Sequence, residues 1–242
     1  MEIVYINLAS RPDRNDEFLR RNAGVADFRR TDAVVGATLR ADDLIRGGAI
    51  AEPLTAFTPG ALGNALSHKA LWERCAAGDA VLTVAEDDAA FNRHFPAKAP
   101  RVLAELPPDW DVILWGWNFD SVLHVRILAG IKEAVAYFDA RPLGPRVAEF
   151  QAADYPVQPL PLVNAFGIVS YSVSPTGARR LLTACFPLRN EAIPIPGLNR
   201  QLLNISLDAT MNKHYRALRA FACFPPLVWT ENDKSTSDVA PV

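Results

Sequence analysis

Long apolar runs are missing from this sequence: nothing in its 242 residues approaches the ~20 consecutive apolar positions that a membrane helix requires. Cysteine is scarce. Cys75, Cys185 and Cys223 are odd in number and lack CxxC spacing, so buried reduced thiols are expected in place of a disulfide framework or a cysteine metal site. An excess of either charge is also absent. The 25 Lys and Arg face 27 Asp and Glu, and the resulting net charge of -2 supplies neither a basic field for nucleic acid nor a polybasic membrane anchor. The opening MEIVYINLAS has no basic segment, apolar core and small-residue cleavage site of a secretory signal, so a cytoplasmic protein is expected. No internal repeat is visible.

Apolar residues are plentiful, at 50% of the chain, enough for the full core of one large domain. Glu2 to Leu8 reads as a strand, and ASRPDRNDEFLRRNAG carries turn residues into a charged helix that closes at Gly24. Phe28 to Val35 reads as a second strand. Thr58 is placed to cap a helix with Pro59 in its first turn and Gly78 as its stop, and Leu62, Leu66 and Ala70 form its apolar stripe. Ala80 to Ala85, Asp111 to Trp115 and Ala165 to Val173 read as further strands, with helices around Arg101 to Leu106 and from SPTGARRLLTACF. Strands alternating with helices predict a parallel α/β sheet. Residues from about Phe119 to Pro161 are weakly periodic, and ENDKSTSDVAPV after Thr230 reads as a polar surface tail.

The stretch VLTVAEDDAAF places Glu86, Asp87 and Asp88 directly after a buried strand. Adjacent like charges repel and cost desolvation, so stability alone does not call for them there. Ligands of open α/β sheets collect at the carboxyl ends of strands. In extended or turn-like backbone the first and third carboxylates can point to one side, so Glu86 and Asp88 could share a cation while the scaffold holds Asp87. Mg²⁺ and Mn²⁺ take such oxygen ligands and keep positions open for water or phosphate. The plain alternative is a solvated loop whose carboxylates cap a helix.

TPGALGNALSHKALWERCAAGDAVLTVAEDDAAF resembles the central signature of glycosyltransferase family 25, which includes bacterial lipooligosaccharide galactosyltransferases and collagen hydroxylysine galactosyltransferases. INLASRPDRNDEFLRR, RTDAVVG and IVSYSVSPTGARRLL resemble further segments of that family in the same order, from Ile3 to Leu182. Asn64 stands where the family has cysteine, Ala85 is smaller than the usual residue there, and PLRNEAIPIPGLNRQLLNISLD is longer and richer in proline. The resemblance implies a single α/β domain over residues 1–242 with a GT-A-like, Rossmann-like nucleotide-sugar-binding fold and a mainly parallel central sheet. Residues 1–118 would form its donor half and 160–230 its acceptor side.

It also implies an inverting, metal-dependent transfer of a hexose, galactose first, from a UDP-sugar to a glycan or glycolipid acceptor such as a lipopolysaccharide precursor. Contact with the inner face of the membrane would be at most peripheral. Mn²⁺ or Mg²⁺ would be held by Glu86 and Asp88, and Asn7, Arg11, Arg14, Asp32, His68 and Asp87 would serve the donor. An arginine fork suits phosphate or a uracil carbonyl, although a solvated helix face is the alternative, and it suits Arg20 and Arg21 better. Asp32 would accept from the uracil N3–H or cap a turn. A Ser67–His68 nucleophile pair is not expected, since adjacent helical residues diverge by about 100°. Asp208 is the candidate general base, against an N-cap for a helix beginning at Ala209. His214 would complete a metal shell or be a structural histidine. Two rivals stand beside this reading: a nucleotidyltransferase acting on a sugar phosphate, and a degenerate domain that binds glycan or protein without turnover.

Overall fold

The computed structural model describes residues 2–128, 130–138 and 146–231. β1 (Glu2–Asn7), α1 (Pro12–Arg21) and β2 (Phe28–Asp32) form the first βαβ unit. α2 (Ala41–Arg46) and α3 (Pro59–Ala77) lead to β3 (Leu82–Glu86), β4 (Ala90–Phe91), α4 (Phe95–Glu105) and β5 (Val112–Gly116). The hairpin β6 (Val122–Leu128) and β7 (Lys132–Tyr137) follows, then α5 (Val147–Ala152), β8 (Gln158–Ala165), β9 (Ser170–Val173) and α6 (Pro175–Cys185). β10 (Ala192–Ile195), β11 (Arg200–Leu203), α7 (Leu207–Asn212), β12 (Ala220–Phe224) and β13 (Val228–Trp229) complete the described chain.

Nine strands form one sheet in the order β2-β1-β3-β9-β5-β12-β8-β6-β7. β1 pairs in parallel with β2 and β3, and β12 with β5. Between β3 and β5 lies β9, antiparallel to both. β3 and β5 therefore still point the same way, and the Rossmann-like core keeps its shared carboxyl edge. β8 extends the sheet antiparallel, its first half on β12 and its second on β6. The central strands are buried on both faces, which is why they read as continuous apolar runs. Val4, Ile6, Val84 and Leu114 pack on one face with Trp72 and Tyr171; Ile3, Tyr5, Ile113 and Trp115 pack on the other with Phe18 and Phe91.

The predicted helix starts hold. Thr58 Oγ1 accepts from Ala61 N–H at 3.0 Å and Ser174 Oγ from Gly177 N–H at 2.9 Å, each with proline in the first turn. Three expectations need correction. The predicted strand over Ala165–Val173 is broken: Gly167 sits at φ 81, and a Cβ there would lie 2.2 Å from Asn118 Oδ1, so the chain turns between β8 and β9. The weakly periodic stretch contains β6, β7, α5 and the start of β8; β7 is nowhere fully buried, so its apolar pattern is diluted. α4 begins at Phe95, before its internal Pro100. The polar tail beyond Glu231 lies outside the described residues. Among the described residues, no helix is long and apolar enough to cross a membrane.

Candidate functional site

β1 and β3 are aligned so that Ile6 lies beside Glu86, and β1 and β2 so that Asn7 lies beside Asp32. The carboxyl ends of three parallel strands thus bring Asn7, Asp32 and the acidic triplet to one edge. Asn7 is buried and ties that edge together. Its Nδ2 donates to Asp87 Oδ2 at 2.7 Å and to Arg11 O at 3.2 Å, and its Oδ1 accepts from Arg30 Nε at 2.9 Å.

Asp87 is the triplet's internal member. Arg14 donates to Asp87 Oδ1 through Nε at 2.8 Å and through an Nη. With side chains only 20% and 11% exposed, Arg14 and Asp87 form a nearly enclosed pair that fastens α1 to the chain after β3. Arg11 turns to Asp13. Asp32 is 71% exposed and pairs with Arg30 at 2.8 Å, the most open of the candidate donor residues.

Glu86 and Asp88 are placed differently. Glu86 Oε1 accepts from Asn64 Nδ2 at 2.9 Å and lies 3.7 Å from His68 Nε2, while about a quarter of the side chain, 26%, stays exposed. Burial alone would raise its pKa, but His68, Asn64 and Arg14 outweigh burial and hold it below the usual carboxylate range. Asp88 Oδ2 accepts from Thr230 Oγ1 at 2.8 Å, whereas Oδ1 is buried with no hydrogen-bond partner among the described residues. Burial, reinforced by the Glu86 charge, lifts Asp88 to about 6. A buried carboxylate oxygen with nothing to accept, next to a second carboxylate, is the donor set a hard divalent cation would complete. Among the described residues no group of three or more His, Cys, Asp or Glu gathers around a common point, so the protein would supply an incomplete shell.

Behind Glu86 runs a buried relay. Trp72 Nε1 donates to the Tyr171 hydroxyl at 2.7 Å, and that hydroxyl lies 2.9 Å from His68 Nδ1. Since the hydroxyl already accepts from Trp72, its own proton goes to Nδ1, which leaves His68 to present an N–H at Nε2, toward Glu86. His68 is fully buried, so its reach toward a donor passes through Glu86. Ser67 accepts from Val34 N–H at 2.8 Å and donates to Gly63 O at 2.7 Å. A Cβ on Gly63 would sit 2.4 Å from Val34 O and one on Gly36 1.7 Å from Pro59 O, so the glycines of DAVVG and TPGALG let the loop after β2 lie directly on α3.

Asp208 occupies the second position of α7, and Ser206, not Asp208, stands at the cap. Its Oδ2 accepts from Gly167 N–H at 2.7 Å, and Ser206 Oγ donates to its Oδ1. The loop that Asp208 grips continues to Val169, whose carbonyl accepts from Glu86 N–H at 2.9 Å. His214 lies apart: burial and the neighbouring Lys213 lower its pKa, and its other charged neighbour is Glu191, not the triplet. Sequence reasoning missed Tyr171 as a partner of His68, Asn64 as a partner of Glu86 and Thr230 as a partner of Asp88. Tyr171 stood in a quoted motif; Thr230, just before the polar tail, carried no signal.

The profile described as Glycosyltransferase family 25 (LPS biosynthesis protein) matches residues 1–195. The chain belongs to glycosyltransferase family 25. It is 27% identical to the bovine glycosyltransferase 25 family member 3 over 93% of this chain and 36% of that protein, and 28% identical to the human member 3 over 89% and 33%. Both relatives carry the word inactive in their names. It is also 29% identical to a glycosyltransferase of Acanthamoeba polyphaga mimivirus over 60% of this chain and 45% of that one, so it spans less than half of each of these relatives. Among solved structures, the mannose-1-phosphate geranyltransferase from Thermus thermophilus overlaps 91% of this chain and 72% of its own at a TM-score of 0.37 and 14% identity. That overlap is too loose to bear on the site.

Proposed function

We propose that this chain is an inverting, divalent-metal-dependent hexosyltransferase that moves a sugar, galactose first, from a UDP-sugar to a glycan or glycolipid acceptor such as a lipopolysaccharide precursor. The observation that carries the reading is the buried Asp88 Oδ1, without a hydrogen-bond partner among the described residues, beside Glu86 at the carboxyl edge of the sheet. Asp88 and Glu86 would hold Mn²⁺ or Mg²⁺, leaving further positions to water and the diphosphate. Such an ion supplies neutralisation of the charge that develops on the departing nucleoside diphosphate.

The chain's own residues take the remaining roles. Arg14 and Asn7 fix Asp87 and with it the backbone of the triplet, while Asp32 and Arg11 border the exposed edge where the nucleotide would lie. His68 positions Glu86 from behind. In the transfer, the acceptor hydroxyl oxygen bonds to the anomeric carbon as the bond from that carbon to the diphosphate oxygen breaks, and the hydroxyl proton passes to Asp208. The site of action on this reading is cytoplasmic, at the inner face of the membrane.

The second reading is a domain that binds without turnover, favoured by the names of the bovine and human relatives. A screen of UDP release across several UDP-sugars, with Mn²⁺ and with EDTA, separates the two. Metal-dependent UDP release supports the transferase; UMP in its place supports nucleotidyl chemistry; metal-dependent binding with no release supports the non-catalytic domain.

A further inference from the structure

The β6–β7 hairpin ends in an apolar tip with basic residues below it. β6 is buried over Val122–Val125 and becomes exposed toward its end, where Ile127 is 51% and Leu128 55% exposed; Ile131, in the turn, is 81% exposed. These are among the most exposed large apolar side chains described in the molecule. The pairing register shifts between Arg126 and Leu128, so Ile127 is the extra residue of a bulge, directly beside Leu128, and Ile131 stands in the adjoining turn; the three gather at the tip of the ribbon.

The charges beneath the tip favour an anionic surface. Lys132 pairs across the ribbon with Leu128 and is exposed, and Arg126 lies on the neighbouring strand. Glu133 faces Arg126 in the register, 3.7 Å from its Nε, and is engaged by Arg216 through two contacts of 2.8 Å. One carboxylate among these three cations leaves the neck net positive. Long cationic side chains lay their stems along apolar surface and place their charge at headgroup level. β6 and β7 pair their facing backbone groups, while β7 is the edge strand of the sheet, so the tip would stop at the headgroup interface, where water reaches the outward-facing groups.

At its other end the hairpin is rooted beside the candidate site. Phe138 packs edge-on against Phe119 at 4.9 Å, Phe119 lies 5.9 Å from Trp229, and the next residue, Thr230, donates to Asp88. The strands of β6 and β7 therefore hold the tip roughly 20 Å from that root, at about 3.3 Å per residue.

We propose that the tip formed by Ile127, Leu128 and Ile131, with Arg126 and Lys132 at its neck, is a membrane-docking finger that inserts into the interface of an anionic lipid bilayer. Its insertion stands independently of the donor chemistry. If the proposed transfer is right, the finger brings the candidate site to a membrane-borne acceptor.

The experiment is co-sedimentation of the protein with vesicles of phosphatidylcholine plus phosphatidylglycerol and with vesicles of phosphatidylcholine alone. The parent is expected on the mixed vesicles, with binding weakened by salt. Ile127→Ser/Leu128→Ser/Ile131→Ser should reduce that binding by about tenfold or more, and Lys132→Gln by about fivefold. Ile131→Trp, a single change at an exposed position, should shift its fluorescence to the blue on mixed vesicles. Mn²⁺-dependent UDP binding measured on the same samples reads the donor site separately, so either idea can fail alone. A parent that ignores mixed vesicles, a triple variant that binds them as the parent does, or an Ile131→Trp probe that stays in water overturns the proposal. So does a parent that self-associates through this tip, with the triple variant becoming monomeric at unchanged vesicle binding.

Discussion

His68 faces Glu86 from inside the protein, its Nε2 lying 3.7 Å from Glu86 Oε1 with no exposed surface of its own. Tyr171 sets that orientation by accepting from Trp72 and turning its own proton to His68 Nδ1. Tyr171→Phe keeps the ring and strands both partners in the core. Each buried polar atom left unpartnered costs about 1–3 kcal/mol, so urea unfolding should show a loss at least of that size. An unchanged midpoint would mean that the relay does not form.

Arg14 and Asp87 should act as one structural unit. Arg14→Gln and Asp87→Asn are each expected to cost about 1.5–3 kcal/mol of stability, the range for hydrogen bonds to charged groups. The double variant should cost less than the sum, because the second change removes a partner already lost. Additive losses in a thermal or urea cycle would place Arg14 outside this pair.

Asp208 is assigned the acceptor proton. Asp208→Asn should lower turnover by about 10²–10⁴-fold with little change in UDP affinity. Ser206→Ala, which removes only the hydroxyl donor to Asp208, should cost about 1 kcal/mol of stability and leave turnover nearly intact. Near-parental turnover in Asp208→Asn would leave the carboxylate as nothing more than the anchor of the Gly167 loop.

Asp88 gives the metal-free protein a distinct pH dependence. Burial and Glu86 raise its folded pKa from the ordinary 3.8 to about 6. The protonated form is favoured by folding, so this contribution to stability is fully present below about pH 4 and is lost as pH rises through about 6. A divalent cation requires the charged form. Mn²⁺ should therefore raise the melting temperature well above pH 6 and have little effect near pH 4. A Mn²⁺ effect of equal size at both values would place the ion elsewhere.

The parts of the fold legible in the sequence were those governed by local rules. Thr58 with Pro59, and Ser174 with Pro175, announced their helices because caps act within one turn. The buried runs of β1, β3 and β5 were readable because strands covered on both faces are uniformly apolar. The reversed direction of β9 was not, since pairing direction is set by partners far along the chain and Gly167 gave only a hint of the break. At the site, the triplet was visible as a charge pattern without a structural need. Its division of labour was not: Asp87 turns inward because Asn7 at the end of β1 and Arg14 in α1 reach it, and the one side-chain donor to Asp88 among the described residues, Thr230, comes from a segment far along the chain and meets only Oδ2.

Titrating UDP into the parent and into Asp88→Asn, each with Mn²⁺ and with EDTA, measures the metal–diphosphate site most directly. The parent should bind UDP tightly only with Mn²⁺. Asp88→Asn preserves the shape and the acceptor oxygen that Thr230 uses, so it should keep its fold and lose the metal-dependent part of the affinity. Equal Mn²⁺-dependent UDP affinity in both proteins would contradict the assignment of the cation to Glu86 and Asp88.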